Sequence, residues 1–226
     1  MFSAPSSHIA KKVLAIENRL SALCLKTEVK QFADSEVIFN QKQKFTGIYT
    51  LEKGYVKITK STDGHHAVAL WIAFPSDILG LEDFFKHSAY SANAISLGKS
   101  RLQFIATADF QKLLENDRQL YFEVFAFLSQ KANFLEAKTL DIAQKDTHIR
   151  LLEFLVFFVQ SDGKHEQVEL PYSIDDMAEI LSTTKNYLLK KLFELSKENL
   201  LRLEHEKVII KSKSRLLAAR ENSNGK

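Results

Sequence analysis

Two helix-start signals set close together, at Ser173 and at Thr183-Thr184, constrain this chain more than any other feature. Ser173 is a good N-cap, because its hydroxyl can accept from a backbone N–H that lacks a helical partner. Asp175 and Asp176 follow where the helix dipole favours acids. Ile174, Met177, Ala178 and Leu181 then mark a buried stripe. From Thr183 or Thr184 a second helix carries Leu188, Leu189, Leu192, Phe193 and Leu195 at spacings of three and four. Only Ser182 and the threonines separate the two, so the helices must cross sharply. Beyond them Leu200 to Leu203, a polar turn from Glu204 to Lys207, and Val208 to Ile210 predict a short hairpin.

This is the pattern of a helix-turn-helix with a β-hairpin wing. In that motif the second helix enters the DNA major groove with its N-terminal residues nearest the base edges. Those residues here are Lys185, Asn186, Tyr187 and Lys190. Lysine can donate to guanine O6 and N7, and asparagine can pair in bidentate fashion with adenine N6 and N7. The competing reading is an ordinary helical hairpin whose lysines are merely solvated.

At these residues the stretch MAEILSTTKNYLLKKLFELSKENLLRLEHEKVIIK resembles the DNA-binding domain of the Crp/Fnr transcription regulators. The likeness extends upstream. EVIFNQKQKFTGIYTLEKGYVKITKSTDGHHAVALWIAFPSDILGLEDFF is similar to that family's cyclic-nucleotide-binding-like β-roll, with an "IF" strand, an apolar strand ending at Gly54, a "VKI" strand, an Asp63-Gly64 turn and a "D-I-L-G" stretch from Asp77 to Gly80. The resemblance implies an α+β fold: an N-terminal double-stranded β-helix (jelly-roll) sensor domain with its N-terminal helix over 1–117, a long dimerisation helix and hinge over 118–146, and a C-terminal winged helix-turn-helix domain over 147–226.

Two departures from the family pattern bear on function. Its recognition helix usually begins Ser-Arg-Glu-Thr-Val and continues with Ser or Gly and then Arg. The matching positions here are Thr184, Lys185, Asn186, Tyr187, Leu188, Leu189 and Lys190. An acid that often contacts cytosine is thus replaced by Asn186, which implies a different operator. In cyclic-AMP-binding members an acid holds the ribose and an arginine pairs with the cyclic phosphate. The aligned positions are Leu81 and Tyr90, followed by Ser91-Ala92. An anion in that pocket would lack its strongest partner; Lys86 or Lys99 could substitute only from inside it. The resemblance therefore implies control by something other than cyclic AMP. Leu81, Phe84, Phe85, Tyr90 and Ser91, with Phe74 nearby, are candidates to line a pocket for an unknown small molecule, the alternative being that these aromatic residues fill a core.

The net charge of +3 conceals an asymmetry: from Lys185 onward there are eleven Lys and Arg against five Asp and Glu, while everything before holds twenty bases and twenty-three acids. Positive charge gathered at one end is the footprint of phosphate contacts. The single cysteine, Cys24, excludes an intrachain disulfide and the multi-thiolate iron–sulfur sensors of the resembling family. His65-His66 and His87 make a poor metal site, because adjacent strand residues face opposite ways. No cofactor is expected. The N-terminus is polar and no apolar run approaches the roughly 20 residues a membrane span needs, so a cytoplasmic location is expected. There is no nucleophile elbow, phosphate-binding Gly loop or HExxH, so an enzyme is not expected.

In chain order, Ile9 to Leu23 reads as an amphipathic helix. From Glu28 to about Ile105 short alternating segments predict strands, with turns at Lys53-Gly54 and Asp63-Gly64. Thr107 to Leu114 reads as a short helix capped by Thr107 or Asp109. Leu120 to Ala143 reads as an uninterrupted helix whose wide apolar face suggests a subunit contact. The resemblance makes it a parallel dimer seam; burial within its own domain is the alternative. The pattern breaks at 144–147, where a hinge is expected. His148 to Gln160 then forms a helix, with Arg150 matching a family arginine, and Val168 to Pro171 a strand leading to Ser173.

The expected function is a homodimeric, sequence-specific transcription regulator of the Crp/Fnr type. Lys185, Asn186, Tyr187 and Lys190 would read bases of a palindromic double-stranded operator, while Thr184, Lys191, Lys207 and Lys211 would position the backbone through phosphates. RNA polymerase is a possible partner. The alternative is a cyclic-nucleotide-fold module that binds a ligand or a protein and no longer binds DNA.

Overall fold

The computed structural model describes residues 27–61, 67–86, 89–162, 168–170, 172–204 and 207–223. The predicted helix from Ile9 to Leu23, Cys24, the Asp63-Gly64 turn and the three histidines at 65, 66 and 87 lie outside them. The described residues up to Leu135 form one compact unit and those from Glu136 onward form another.

The first unit is an antiparallel sheet whose strands are β1 (Glu28–Phe32), β2 (Val37–Phe39), β3 (Gly47–Lys60), β4 (Val68–Ala73), β5 (Ile78–Leu79) and β6 (Asn93–Ala106). The two long strands serve both ends of it. The first half of β3 pairs with the second half of β6, flanked by β1 and β5; the second half of β3 pairs with the first half of β6, flanked by β2 and β4. The resulting roll buries one apolar cluster, to which Ile48, Leu51, Leu102 and Ile105 come from one end and Val56, Ile58, Trp71 and Ala94 from the other.

Between the two ends sits Gly54, which corrects a sequence expectation. Lys53-Gly54 is not a turn between strands, because β3 runs unbroken through it. The register instead shifts between Leu51 and Lys53 and again between Lys53 and Tyr55, and Gly54 takes φ +88°. A Cβ there would meet the Lys99 carbonyl oxygen at 2.5 Å. The glycine's positive φ is used for a bulge that re-aims the strand.

A short helix α1 (Leu81–Phe84) follows β5, and α2 (Thr107–Asn116) follows β6 directly. Neither Thr107 nor Asp109 caps α2. The N-cap is Ala106, with no side-chain cap bond, and the Thr107 N–H donates to the Thr46 carbonyl at 3.0 Å. The entering strand leaves no room for a separate capping turn. Helix α3 (Arg118–Gln144) has the expected length and packs Leu120, Val124 and Phe127 into the roll cluster.

The second unit holds α4 (Thr147–Asp162), β7 (Val168–Glu169), α5 (Ile174–Ile180), α6 (Lys185–Lys197), the hairpin β8 (Leu201–Glu204) and β9 (Lys207–Ile210), and α7 (Lys213–Ser223). The three strands form one antiparallel sheet in the order β7-β9-β8.

Candidate nucleic-acid interface

Helix α5 begins with a reciprocal cap. The Asp176 N–H donates to Ser173 Oγ at 3.1 Å, and that hydroxyl donates to Asp176 Oδ2 at 2.6 Å. Ile174, Met177, Ala178 and Leu181 are all buried, as their spacing requires. The helix ends at Ser182, which adopts φ +51°, while the Thr183 N–H reaches back to the Ala178 carbonyl at 3.0 Å. That left-handed residue reverses the chain at once. Thr184 then caps α6, its Oγ1 accepting from the Tyr187 N–H at 3.3 Å. A second left-handed residue, Asn199 at φ +59°, closes α6 and sends the chain into the hairpin.

Arg150 holds this pair of helices to α4. It is buried and donates to the Lys145 carbonyl at 2.7 Å, to Thr147 Oγ1 at 3.1 Å and, from across the fold, to the Leu181 carbonyl at 3.1 Å. The guanidinium thus satisfies a carbonyl that the end of α5 would otherwise leave unpaired. Nothing in the sequence spacing of Arg150 and Leu181 announces this contact.

The face of α6 turned inward carries Leu188, Leu192 and Leu195, all buried, with Leu189 half-buried. Phe193, expected in the same stripe, is 56% exposed. Leu188, Leu192 and Leu195 already complete the inward row at steps of four and three, and Phe193 falls about 100° beyond Leu192. The outward face carries Asn186, Tyr187 and Lys190, all exposed.

Several of the candidate cations are held by acids. Lys185 Nζ is 2.7 Å from Asp175 Oδ2, Lys191 Nζ 2.8 Å from Glu194 Oε2, and Lys207 Nζ 2.6 Å from Glu169 Oε1. Hydrogen bonding to Glu194 raises the Lys191 pKa, and hydrogen bonding to Glu169 raises that of Lys207. Lys211 Nζ donates to Asn199 Oδ1 at 3.4 Å. The partner of Lys185 was not foreseen, because ten residues separate it from Asp175 in the chain.

In the roll, the candidate pocket residues divide. Leu81, Phe84 and Tyr90 are buried in the apolar cluster. The Tyr90 ring stacks on Phe39 at 4.0 Å between centroids, and its hydroxyl donates to the Gly47 carbonyl at 2.7 Å. Phe84 packs edge-on against Phe110 at 4.9 Å. Phe85 is partly exposed, at 38%, and Ser91 is half-buried with its N–H donating to Asp83 Oδ2 at 3.1 Å. Phe74 is half-buried against Tyr55. Lys86 is exposed beside Asp83. Near this segment, Lys131 of α3 lies 3.9 Å over the Trp71 ring and pairs with Glu82. Asp77 is buried, and its carboxylate accepts from the Phe74 N–H at 2.8 Å. Burial pushes its carboxyl up to about 7, against the opposing pull of that N–H and of Lys131.

Residues 29–117 match the family model of the cyclic nucleotide-binding domain. FixK2 from Bradyrhizobium japonicum superposes with a TM-score of 0.74 at 17% identity, over 86% of this chain and 97% of that one. The c-di-GMP responsive global regulator CLP of Xanthomonas campestris gives 0.73 at 14% identity, over 87% and 98%. A transcriptional regulator of the CRP/FNR family from Thermus thermophilus gives 0.67 at 19% identity, over 86% and 98%.

The chain has the Crp/Fnr fold.

No curated protein matches it by sequence. At the identities of the Crp/Fnr-fold relatives it is the architecture that is shared, and the side chains described above are this chain's own. No described helix is long and apolar enough to cross a membrane. No group of three or more potential metal ligands occurs among the described residues.

Proposed function

We propose that this chain is a dimeric, sequence-specific DNA-binding transcription regulator of the Crp/Fnr type whose control does not run through cyclic AMP. The observation that carries the reading is the capped helix α6, with Asn186, Tyr187 and Lys190 exposed on its outer side, set off from α5 by a single left-handed residue and followed by a hairpin. This is the arrangement by which a winged helix-turn-helix offers one helix to the major groove. Lys185, Asn186, Tyr187 and Lys190 read base edges; Thr184, Lys191, Lys207 and Lys211 meet phosphates. Titrating the lysines against phosphates in place of their own acids makes binding salt-dependent.

Dimerisation is supported by α3. Tyr121, Phe125, Leu128, Ala132, Leu135, Thr139 and Ile142 recur at alternating steps of four and three, and all but the half-buried Leu128 are exposed. That is a heptad seam, and such a seam packs against a second copy. Two α6 helices then address half-sites about one DNA turn apart. Domains 1–117, 118–146 and 147–226 correspond in this reading to sensor, seam with hinge, and DNA reader.

In the roll, Tyr90 and Leu81 support independence from cyclic AMP, since both side chains belong to the packed core where a nucleotide-binding member would present its arginine and acid. One observation favours the second reading, a binding module without DNA affinity: Lys185, Lys191 and Lys207 are already paired with the chain's own acids. Selection of bound sequences from a random DNA library decides between them. A palindrome whose preference relaxes at one position per half-site in Lys185→Ala and in Asn186→Ala supports the regulator. Weak, sequence-blind binding at low salt supports the module.

A further inference from the structure

Phe193 is the exposed aromatic that the packing of α6 leaves unexplained. On a helix with 3.6 residues per turn, Asn186, Lys190 and Phe193 lie at i, i+4 and i+7, within about 40° of one line, and Lys197 continues that line one turn further. All four are exposed, whereas Leu188, Leu192 and Leu195 face the other way into the core. A phenylalanine more than half in water on a row of lysines and an asparagine contributes nothing to the interior of its own unit. The row contains no acid; the nearest, Glu194, is held to the side by Lys191 at 2.8 Å. A surface that is cationic at Lys190 and Lys197, with one apolar ring between them, is complementary to a polyanion presenting an apolar spot.

The DNA major groove presents one such spot, the C5 methyl of thymine, against which phenylalanine packs well. Seven residues of helix advance about 10 Å, close to three base steps of about 3.4 Å, so a helix lying along the groove can bring Asn186 and Phe193 to different base pairs of one half-site. We infer that Phe193 is a specificity-determining residue that reads a thymine methyl in each half-site, beside the base-reading Lys190 and with Lys197 meeting the groove's anionic surroundings. This rests on the DNA-reading proposal above and adds to it a requirement for thymine at a position separate from those read by Lys185 and Asn186.

The test uses the full-length protein and the palindrome recovered by selection. Each thymine of a half-site is replaced in turn by deoxyuridine, which removes only the methyl group. The expected result is one position per half-site where wild-type protein loses about fourfold in affinity, the worth of one buried methyl-sized group. Phe193→Ala binds thymine and deoxyuridine there equally, and Phe193→Leu retains part of the preference. Unchanged thermal unfolding of Phe193→Ala shows that the loss is local. If Asn186→Ala relaxes its own position but no thymine methyl couples to residue 193, the inference is overturned while DNA reading stands. DNA binding unaffected by Phe193→Ala would give this ring to a protein partner and also overturns it. Absence of sequence-specific binding by wild-type protein removes both.

Discussion

Aromatic residues in the roll and on α6 have opposite fates. Tyr90 and Phe84 sit where a related fold could keep a ligand pocket, yet stacking of Tyr90 on Phe39, its hydrogen bond to Gly47 and the edge-on packing of Phe84 against Phe110 commit them to the interior. Tyr187 and Phe193 sit on a short capped helix and stay exposed, Phe193 with more than half of its surface in water. The roll commits Tyr90 and Phe84 to its own core. On α6, Lys185 and Lys191 pair with the surface carboxylates of Asp175 and Glu194, and such ion pairs contribute little to stability. The difference teaches why the proposed reading places recognition on α6: a region that has used its side chains for packing has few left to offer, and a region that withholds them from packing keeps them available.

The contrast breaks most directly at Tyr90. Tyr90→Ala should cost about 3–5 kcal/mol of stability through the cavity it leaves, read as a lowered denaturant midpoint. A small cost, with a ligand-sized void tolerated in its place, would mean that the roll is not committed to packing.

A second break uses pH. Asp77 has its carboxyl raised by burial from 3.8 to about 7, so between these values the folded roll keeps a proton that the unfolded chain releases. Stability from this group is therefore greatest below about pH 4, declines as pH rises towards 7, and is level above it. The decline should be on the order of 4 kcal/mol and should be absent from Asp77→Asn, measured by denaturant unfolding across that range. Equal slopes in both proteins would show that Asp77 is solvated and the roll less closed than described.

Arg150 tests how the exposed face is supported. Arg150→Met should cost about 2 kcal/mol, because the Leu181 carbonyl loses a charged donor and the end of α5 its tie to α4. Hydrogen exchange should quicken at the α5–α6 turn before it does in α4.

The smallest effect sharpens the comparison on the α6 side. Asp175→Ala should strengthen operator binding by about threefold by freeing Lys185, whereas Lys207→Ala should weaken all sequences alike and lower the salt slope by about one. Loss of affinity in Asp175→Ala would show that the acid orders Lys185 for its task.

Much of the architecture is legible in the residues themselves. Both helix caps at 173 and 184, the buried stripe of α5, the length of α3 and the hairpin follow from periodicity and capping chemistry, which act over one or two turns of chain. The errors share one cause. Gly54 announces a positive φ but not whether it closes a turn or opens a bulge, because that depends on the strand paired across from it. Thr107 and Asp109 are good caps by type, but β6 enters α2 with no turn for them to occupy. Phe193 matches a helical apolar row, and only the presence of Leu188, Leu192 and Leu195 against α5 and the hairpin turns it outward.

The candidate site divides the same way. The residue types of α6 that suit base reading stand in the sequence, as does the charge gathered behind them. The pairing of Lys185 with Asp175, the reach of Arg150 to Leu181 and the filling of the roll by Tyr90 are tertiary facts. They join residues far apart in the chain, where local spacing carries no information and close packing makes the choice.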